Sequence, residues 1–467
     1  MALVLGVDSS TQSTKAVLVD AADGTVVDSA SVPHPVGTEV DPRAWLEAYD
    51  AATAGLRDRA EAVSVAGQQH GMVALGADDE PVRPALLWND TRSAGAAQDL
   101  VAELGGPQAC ADAVGSVLVA SLTVTKLRWT RDAEPETAAA VRRVLLPHDY
   151  VSWHACGRSG EPFTDRGDAS GTGYFSPADG AWRPDLAEAA LGRPVALPRV
   201  AAPGERAGTT PGGAVVGAGT GDNMGAALAL DLQPGDVVVS VGTSGVASAV
   251  SPTPVHDGSG LVTGFCDATG AYLPLVVTLN AARILDLQAS LLGVDLATLS
   301  DLALAAPPGA NGLVVSPYYG GERTPNRPGA TGTWTGLRPG TTREDVARAA
   351  FEALLCSLRD TVDHLAAATG LTPRRVVLVG GATRSPALRE LAPALLGREV
   401  TLPEAGEYVA LGAARQAAWA LSGAQAPPSW PRRGTAVLEA DPQPQVNAAY
   451  AELRDRTASW ADQEGTS

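Results

Sequence analysis

Asp8 is followed by Ser9-Ser10-Thr11-Gln12-Ser13-Thr14-Lys15, hydroxyls and backbone amides with one cation, a composition able to line a polyphosphate. A second turn of this kind, Gly242-Thr243-Ser244-Gly245, lies past the middle of the chain. Singly, either reads as an ordinary polar hairpin, because Ser and Thr are common in turns. At equivalent places in duplicated domains, two such turns can face each other across a cleft and grip a nucleoside triphosphate from both sides. Asp222 follows the glycine-rich Gly217-Ala218-Gly219-Thr220-Gly221 and opens a helix start, Asn223-Met224-Gly225. A carboxylate there either caps the helix or takes a proton from a hydroxyl that attacks a phosphoryl group.

Gln68, Gln69 and His70 cluster hydrogen-bonding groups where a strand ends, and Gly71 leaves room for a hydroxyl-bearing ligand to approach. Trp88, ahead of Asn89, Asp90 and Arg92, offers a ring face to a sugar or else fills a semi-buried core position. Gly380-Gly381-Ala382-Thr383-Arg384-Ser385 suits a backbone that passes close to an adenosine, where side chains would block approach. Gly320-Gly321-Glu322-Arg323-Thr324-Pro325 reads as a surface turn with a local Glu–Arg pair. The common alternatives fail on spacing. No G-x-x-x-x-G-K-[ST] occurs, Asp222 stands where a dinucleotide fingerprint needs its last glycine, and there is no G-x-S-x-G elbow.

These residues need strands and helices to hold them. Leu3 to Val7, Lys15 to Val19 and Val26 to Ala30 read as strands, with Asp23-Gly24 a hairpin signal between the last two. Val237 to Val241 and Val246 to Val250 repeat the opening of the chain after Gln233-Pro234-Gly235-Asp236. A period this long excludes a solenoid and suggests a duplicated domain, with units 1–232 and 233–467. Between them fall a helix near Pro42 to Arg59 and strands Ala62 to Ala66 and Met72 to Leu75. The second half holds a helix from Arg343 to Ala368, a strand Val376 to Val379 and a helix Pro386 to Leu396. Ala424 to Pro444 reads as surface wrapping and Gln445 to Trp460 as a terminal helix.

Composition narrows the class. The 467 residues carry 34 basic and 52 acidic side chains, a net charge of −18 and a pI near 4.7, which excludes a generally basic nucleic-acid binder. With 45% hydrophobic but only 4% aromatic residues, the core has to come from Leu, Val and Ala on helices and strands, an α/β chain. Cys110, Cys156, Cys266 and Cys356 lie far apart and read as buried thiols. Only two of the 34 basic residues are lysines, Lys15 and Lys126. The N-terminus lacks a basic n-region and no apolar run is long enough to span a bilayer, so a cytoplasmic protein without a membrane partner is expected.

The motifs together resemble those of the FGGY carbohydrate kinases. The resembling stretches run through most of the chain: VLGVDSSTQSTKAVLVD from Val4, GQQHGMVAL from Gly67, RPALLWNDTRS from Arg83, SLTVTKLRW from Ser121, LPHDYV from Leu146, TDRGDASGTGYF from Thr164, GAGTGDNMGAA from Gly217, SVGTSGV from Ser240, GGERTP from Gly320 and VVLVGGATRS from Val376. The resemblance implies two actin-like (ribonuclease H-like) domains with an interdomain cleft, the first for the sugar and the first phosphate loop, the second for the other phosphate loop and the adenosine. It implies ATP and Mg²⁺, with Asp222 as catalytic base and Asp8 as the carboxylate near the metal, directly or through water. By motif, Thr11, Ser13, Lys15, Gly242, Thr243, Gly381 and Ser385 fall to ATP, and Gln69, His70, Trp88 and Asn223 to the sugar, while Lys126 is structural. The implied reaction turns D-xylulose into D-xylulose 5-phosphate.

A sibling kinase for another ketose, polyol or sugar acid is the alternative, and a non-catalytic actin-like ATPase or sugar-sensing regulator is the rival of another class. The implied partner is a small sugar, with a homodimer left open. Two departures stand out. Gln69 occupies a place where relatives often have Met, and Thr130 follows a tryptophan that a hydrophobic residue commonly follows.

Overall fold

Val4, Leu5 and Val7 follow one another so closely that the strand they form needs apolar cover on both faces. The computed structural model, which describes residues 1–431 and 434–460, supplies that cover. In unit 1 the sheet is built from β1 (Leu3–Ser9), β2 (Ser13–Asp20), β3 (Val26–Pro33), β4 (Ala62–Gly67), β5 (Arg206–Thr209) and β6 (Val215–Gly217), in the order β5-β6-β4-β1-β2-β3. A seventh short strand, Thr220–Gly221, pairs with the end of β4. The β1–β2–β3 run is antiparallel, and β1, β4 and β6 are parallel. Asp23-Gly24 makes the expected hairpin, with Gly24 at φ 76°, where a side chain is disfavoured.

On one face Leu5, Val7, Val63 and Val65 pack with Trp45, Tyr49 and Tyr150. On the other, Val4, Val17, Val19 and Ala62 meet Ala410, Ala414 and Ala417 of the helix Tyr408–Ser422. That helix also crosses the helix Asp222–Ala229 at Gly225 and Gly412, where a Cβ on Gly412 would overlap the Gly225 carbonyl. Alanine and glycine therefore carry this layer because backbone has to meet backbone.

Unit 2 repeats the plan. Its sheet contains β7 (Asp236–Val241), β8 (Gly245–Ala249), β9 (Leu275–Thr278), β10 (Arg375–Val379), β11 (Glu399–Leu402) and β12 (Ala436–Leu438), in the order β9-β8-β7-β10-β11-β12. Again the first three strands are antiparallel, the fourth and fifth join in parallel and the sixth is antiparallel. Helices Arg343–Thr369 and Pro386–Leu396 lie where the apolar periodicity puts them. The first opens on Thr342 and Asp345, a reciprocal capping box.

Several boundaries differ from expectation. The first helix is shorter, Arg43–Thr53, and a separate 3₁₀ turn, Arg57–Arg59, follows after Gly55. Ala424 to Pro444 is more than wrapping, because Ala436–Leu438 adds an edge strand; Arg432 and Arg433 of that stretch lie outside the described residues. The terminal helix is Pro444–Arg456 with a 3₁₀ turn to Trp460. A cut into 1–232 and 233–467 misses two returns of the chain: unit 1 comprises Met1–Leu232, Pro252–Leu273 and Gly406–Pro431, and unit 2 the remainder. The helix Tyr408–Ser422 belongs with unit 1 because its alanines cover the first sheet. All four cysteines are buried free thiols. Among the described residues no single helix is long and apolar enough to cross a membrane.

Candidate active site

In unit 1 the parallel strands β1 and β4 end side by side, with Asp8 opposite Ala66 and Ser9 opposite Gly67. Their C-terminal ends carry the two loops of interest, as open α/β sheets generally do. Asp8 is buried, and the Ser10 hydroxyl donates to its Oδ1. Burial pushes the Asp8 carboxyl up to about 7; the Ser10 hydrogen bond opposes this, the Asp222 charge adds to it and Lys15 lowers it. Lys15 itself forms a 2.6 Å ion pair with Glu407, at the foot of the helix Tyr408–Ser422. The Trp88 indole is 46% exposed, so it does not fill a core position, and its Nε1–H donates to Thr11 Oγ1 at 2.9 Å. That hydrogen bond leaves the Thr11 hydroxyl proton to be donated elsewhere. Ser13 opens β2, and its carbonyl accepts from Ser10 N at 3.1 Å, closing the turn.

Asp222 is the first residue of its helix; the N-cap position falls to Gly221, so the carboxylate does not cap in the ordinary way. Its Oδ1 accepts from the Asn223 backbone N at 2.7 Å and from Asn223 Nδ2 at 3.0 Å. Asn223 Nδ2 also donates to Gln69 Oε1 at 3.0 Å, which joins the Gln69 loop to Asp222. Burial lifts the Asp222 carboxyl from the usual 3.8 to about 6, and the backbone amides of Asn223 and of Asp222 itself pull it back. A carboxylate with that proton affinity is suited to general-base work near neutral pH. Gln69 Nε2 is buried with no hydrogen-bond partner, an uncommitted donor beside Asn223. A Cβ on Gly221 would lie 2.8 Å from Gln69 Cγ, so glycine is needed where the two loops touch.

His70 sits at φ 69°, a conformation uncommon for a residue with a side chain. Its Nδ1–H donates to the Gly171 carbonyl at 2.7 Å, its own carbonyl accepts from Thr123 Oγ1 at 3.0 Å, and its ring packs on Phe265 at 5.5 Å. Lys126 is buried in the helix Thr123–Ala133 and donates to the Ala120 and Ser121 carbonyls, a loop-holding role.

In unit 2 the residues singled out from sequence share one cavity of about 450 Å³, lined by Gly242, Thr243, Asp286, Gly381, Arg384 and Ser385 with an apolar floor that includes Leu285 and Phe351. The Gly242-Thr243 turn rests on the start of the helix Ala282–Leu292, whose first amides donate to it: Ala281 N to Thr243 O at 3.2 Å and Ala282 N to Gly242 O at 2.8 Å. Gly380, at φ 100°, lies so close to Val241 that a Cβ would come within 2.7 Å of its carbonyl, whereas a Cβ on Gly381 would meet only Arg384, at 3.6 Å. The Ser385 hydroxyl caps the helix Pro386–Leu396.

Glu322 corrects the sequence reading. It is buried, and instead of pairing with Arg323 it accepts from Thr278 Oγ1 at 2.8 Å, Leu279 N at 2.6 Å and Asn280 Nδ2 at 2.9 Å, fixing the segment that leads into Ala281 and Ala282. Glu407, the partner of Lys15, and Asp286 of the cavity wall are lone charged residues without local pattern, which sequence reasoning misses, whereas Arg384 falls inside the Gly380–Ser385 motif.

The N-terminal domain of the FGGY family of carbohydrate kinases matches residues 3–228, and its C-terminal domain matches residues 237–421. The chain belongs to this family. Its two sheets have the actin-like ATPase fold of FGGY kinases. The chain is 47% identical over 439 residues to the xylulose kinase of Streptomyces coelicolor, covering 91% of this chain and 89% of that one. It is 44% identical to the xylulose kinase of Streptomyces rubiginosus, covering 94% and 92%. The crystal structure of xylulose kinase from Bifidobacterium adolescentis superposes with a TM-score of 0.92 at 43% identity, over 97% of this chain and 99% of that one.

Proposed function

We propose that this FGGY kinase transfers the terminal phosphoryl group of ATP to the 5-hydroxyl of D-xylulose, giving D-xylulose 5-phosphate and ADP. The observation that carries the reading is Asp222: a carboxylate on a glycine-rich turn, with burial raising its pKa to about 6, tied through Asn223 to Gln69. The identity of the relatives supports the choice of sugar.

Gln69, His70, Asn223 and Trp88 bind and orient the ketose, with the unpaired Gln69 Nε2 as one donor and the indole face as a platform. Asp222 takes the hydroxyl proton as the oxygen attacks the γ-phosphorus and the bond to ADP breaks. In unit 2 the Gly242-Thr243 turn holds phosphate oxygens, and the cavity beside Gly381 and Ser385 takes the adenosine. In unit 1 Thr11, Ser13 and Lys15 form the other phosphate loop. Asp8, buried near a second carboxylate and held by a hydroxyl, is an oxygen donor whose charge a cation would neutralise, so it fits Mg²⁺, directly or through water. The metal would supply charge neutralisation to the transferring phosphoryl group.

Mixing the protein with ATP and a panel of ketoses, polyols and sugar acids, and measuring sugar-dependent ADP release, tests the reading. D-xylulose should give the highest kcat/KM. Sugar-independent hydrolysis only, or a better substrate elsewhere in the panel, would overturn it.

A further inference from the structure

His148 is the second residue of the helix Pro147–Ala155, and its side chain is fully buried. Its Nδ1 lies 2.9 Å from Asp168 Oδ2 and 3.1 Å from Asp149 Oδ1, and its Nε2 lies 3.2 Å from the Ala218 carbonyl. Every group facing the ring nitrogens is an acceptor. Either the ring carries both protons, or Asp168 carries one and lends it to Nδ1; in both states Nε2 holds a hydrogen and donates it to Ala218.

Ala218 stands four residues before Asp222, in the loop whose next carbonyl, Gly219 O, accepts from Gln416 Nε2 at 2.9 Å. Gly219 is at φ 78°, and a Cβ there would overlap His148 Nε2. A Cβ on Gly67 would lie 2.7 Å from His148 Cβ, and Gly67 pairs with Gly221. The imidazole is therefore wedged beneath both loops, the one that leads to Gln69 and the one that leads to Asp222. Burial by itself would lower the His148 pKa, but the two carboxylates outweigh it and hold the group well above its usual range. Asp165 from the neighbouring turn and the Tyr174 hydroxyl are the other titratable groups near this cluster.

We propose that His148 is a positioning residue for the phosphoryl-transfer step, its Nε2–H holding the Ala218 carbonyl so that the glycine-rich backbone presents Asp222 to the sugar hydroxyl. This rests on the reading of Asp222 as the base. A displacement of the order of 1 Å at a reacting group is enough to cost about 10²-fold in rate.

Two variants separate this role from a purely structural one. In His148→Gln the amide nitrogen falls near the place of Nε2 and keeps the donor to Ala218. In His148→Asn it falls near the place of Nδ1 and keeps only the donor to Asp168. His148→Asn should lower kcat about 10–100-fold with KM for D-xylulose and ATP little changed, and His148→Gln should keep kcat within about threefold. A residue that only neutralises the buried carboxylates gives the reverse order, because Gln leaves Asp168 unpaired. Equal losses, the reverse order, or wild-type kcat in His148→Asn would overturn the proposal.

Should either variant fail to fold, ¹⁵N NMR of the histidine rings in the wild-type protein decides: Nε2 of His148 must stay protonated at pH 8, and an unprotonated Nε2 overturns the assignment. Asp222→Asn measured in parallel keeps the two readings apart. Near-wild-type turnover there removes the base, whereas an inactive Asp222→Asn with a fully active His148→Asn removes only the positioning role.

Discussion

Replacing Asp222 by Asn separates its two contributions, because the amide keeps the acceptor for the Asn223 amides but neither takes a proton nor carries charge. Removing a general base costs about 10²–10⁴ in turnover. Stability should move the other way. The carboxyl is raised from 3.8 to about 6 chiefly by burial, so the folded protein favours its protonated form. A folded-state pKa above the unfolded one gives stability that is present at low pH and lost as the pH rises through the folded value. The wild type therefore carries a penalty above pH 6 that the variant lacks, at most about 3 kcal/mol if the whole rise is converted. Asp222 keeps part of its surface in solvent, which screens the charge, and about 1–2 kcal/mol is the expected gain. Urea unfolding of both proteins at pH 8 and pH 4, alongside ADP release with D-xylulose at pH 7.5, measures all of this. The variant should be more stable at pH 8, equal at pH 4 and nearly inactive. A stability gain that persists at pH 4 would trace the effect to packing instead of charge, and near-wild-type turnover would refute the base.

Thr243→Val should weaken ATP by about five- to tenfold, the loss of one hydrogen bond, and leave sugar binding unchanged in calorimetry; equal losses for both ligands would point to misfolding of unit 2. Gly412→Ala gains up to about 1 kcal/mol of helix propensity but drives a methyl into the Gly225 carbonyl. Overpacking costs of about 1–3 kcal/mol prevail, so the unfolding midpoint should fall, and an unchanged midpoint would mean that the helices separate at no cost. D-xylulose should exceed glycerol in kcat/KM by several orders of magnitude, because a three-carbon polyol leaves donors in the Gln69–Asn223 cluster unpaired at about 1–3 kcal/mol each. His70→Ala should accordingly reduce xylulose turnover far more than glycerol turnover.

Runs of Val and Leu ending in Ser, Thr or Gly were enough to place β1, β4, β7 and β10, since apolar strands and glycine turns are local signals. Asp222, Gln69 and Asn223 were legible for the same reason, each standing in a short motif, and the structure joins them by hydrogen bonds. Lys15 stands out by its rarity, but its partner Glu407 lies 392 residues away and no spacing rule reaches that far. Glu322 shows the opposite failure: beside an arginine it reads as a surface pair, while its real partners are the Thr278 hydroxyl, the Asn280 side chain and backbone amides at a strand end that the sequence does not mark. Gln416, which ties Gly219, was hidden in an alanine-rich helix whose place against the first sheet depends on tertiary packing alone.

The return of the chain to unit 1 at Gly406–Pro431 has a consequence for synthesis. A ribosome that has released residues 1–232 has made the loops that carry Gln69 and Asp222 but not the helix Tyr408–Ser422. Until that helix emerges, Val4, Val17, Val19 and Ala62 have no cover on one face of the sheet, and the helix that begins at Asp222 has nothing to cross at Gly225. The nascent protein must carry this bare apolar face through the making of nearly all of unit 2, a period in which chaperone capture or aggregation competes with folding. A gene fragment cut at residue 232 inherits the same defect permanently and also lacks the Pro252–Leu273 return that packs Phe265 on His70, so an intact unit 1 needs residues 252–273 and 406–431 supplied on the same chain or in trans.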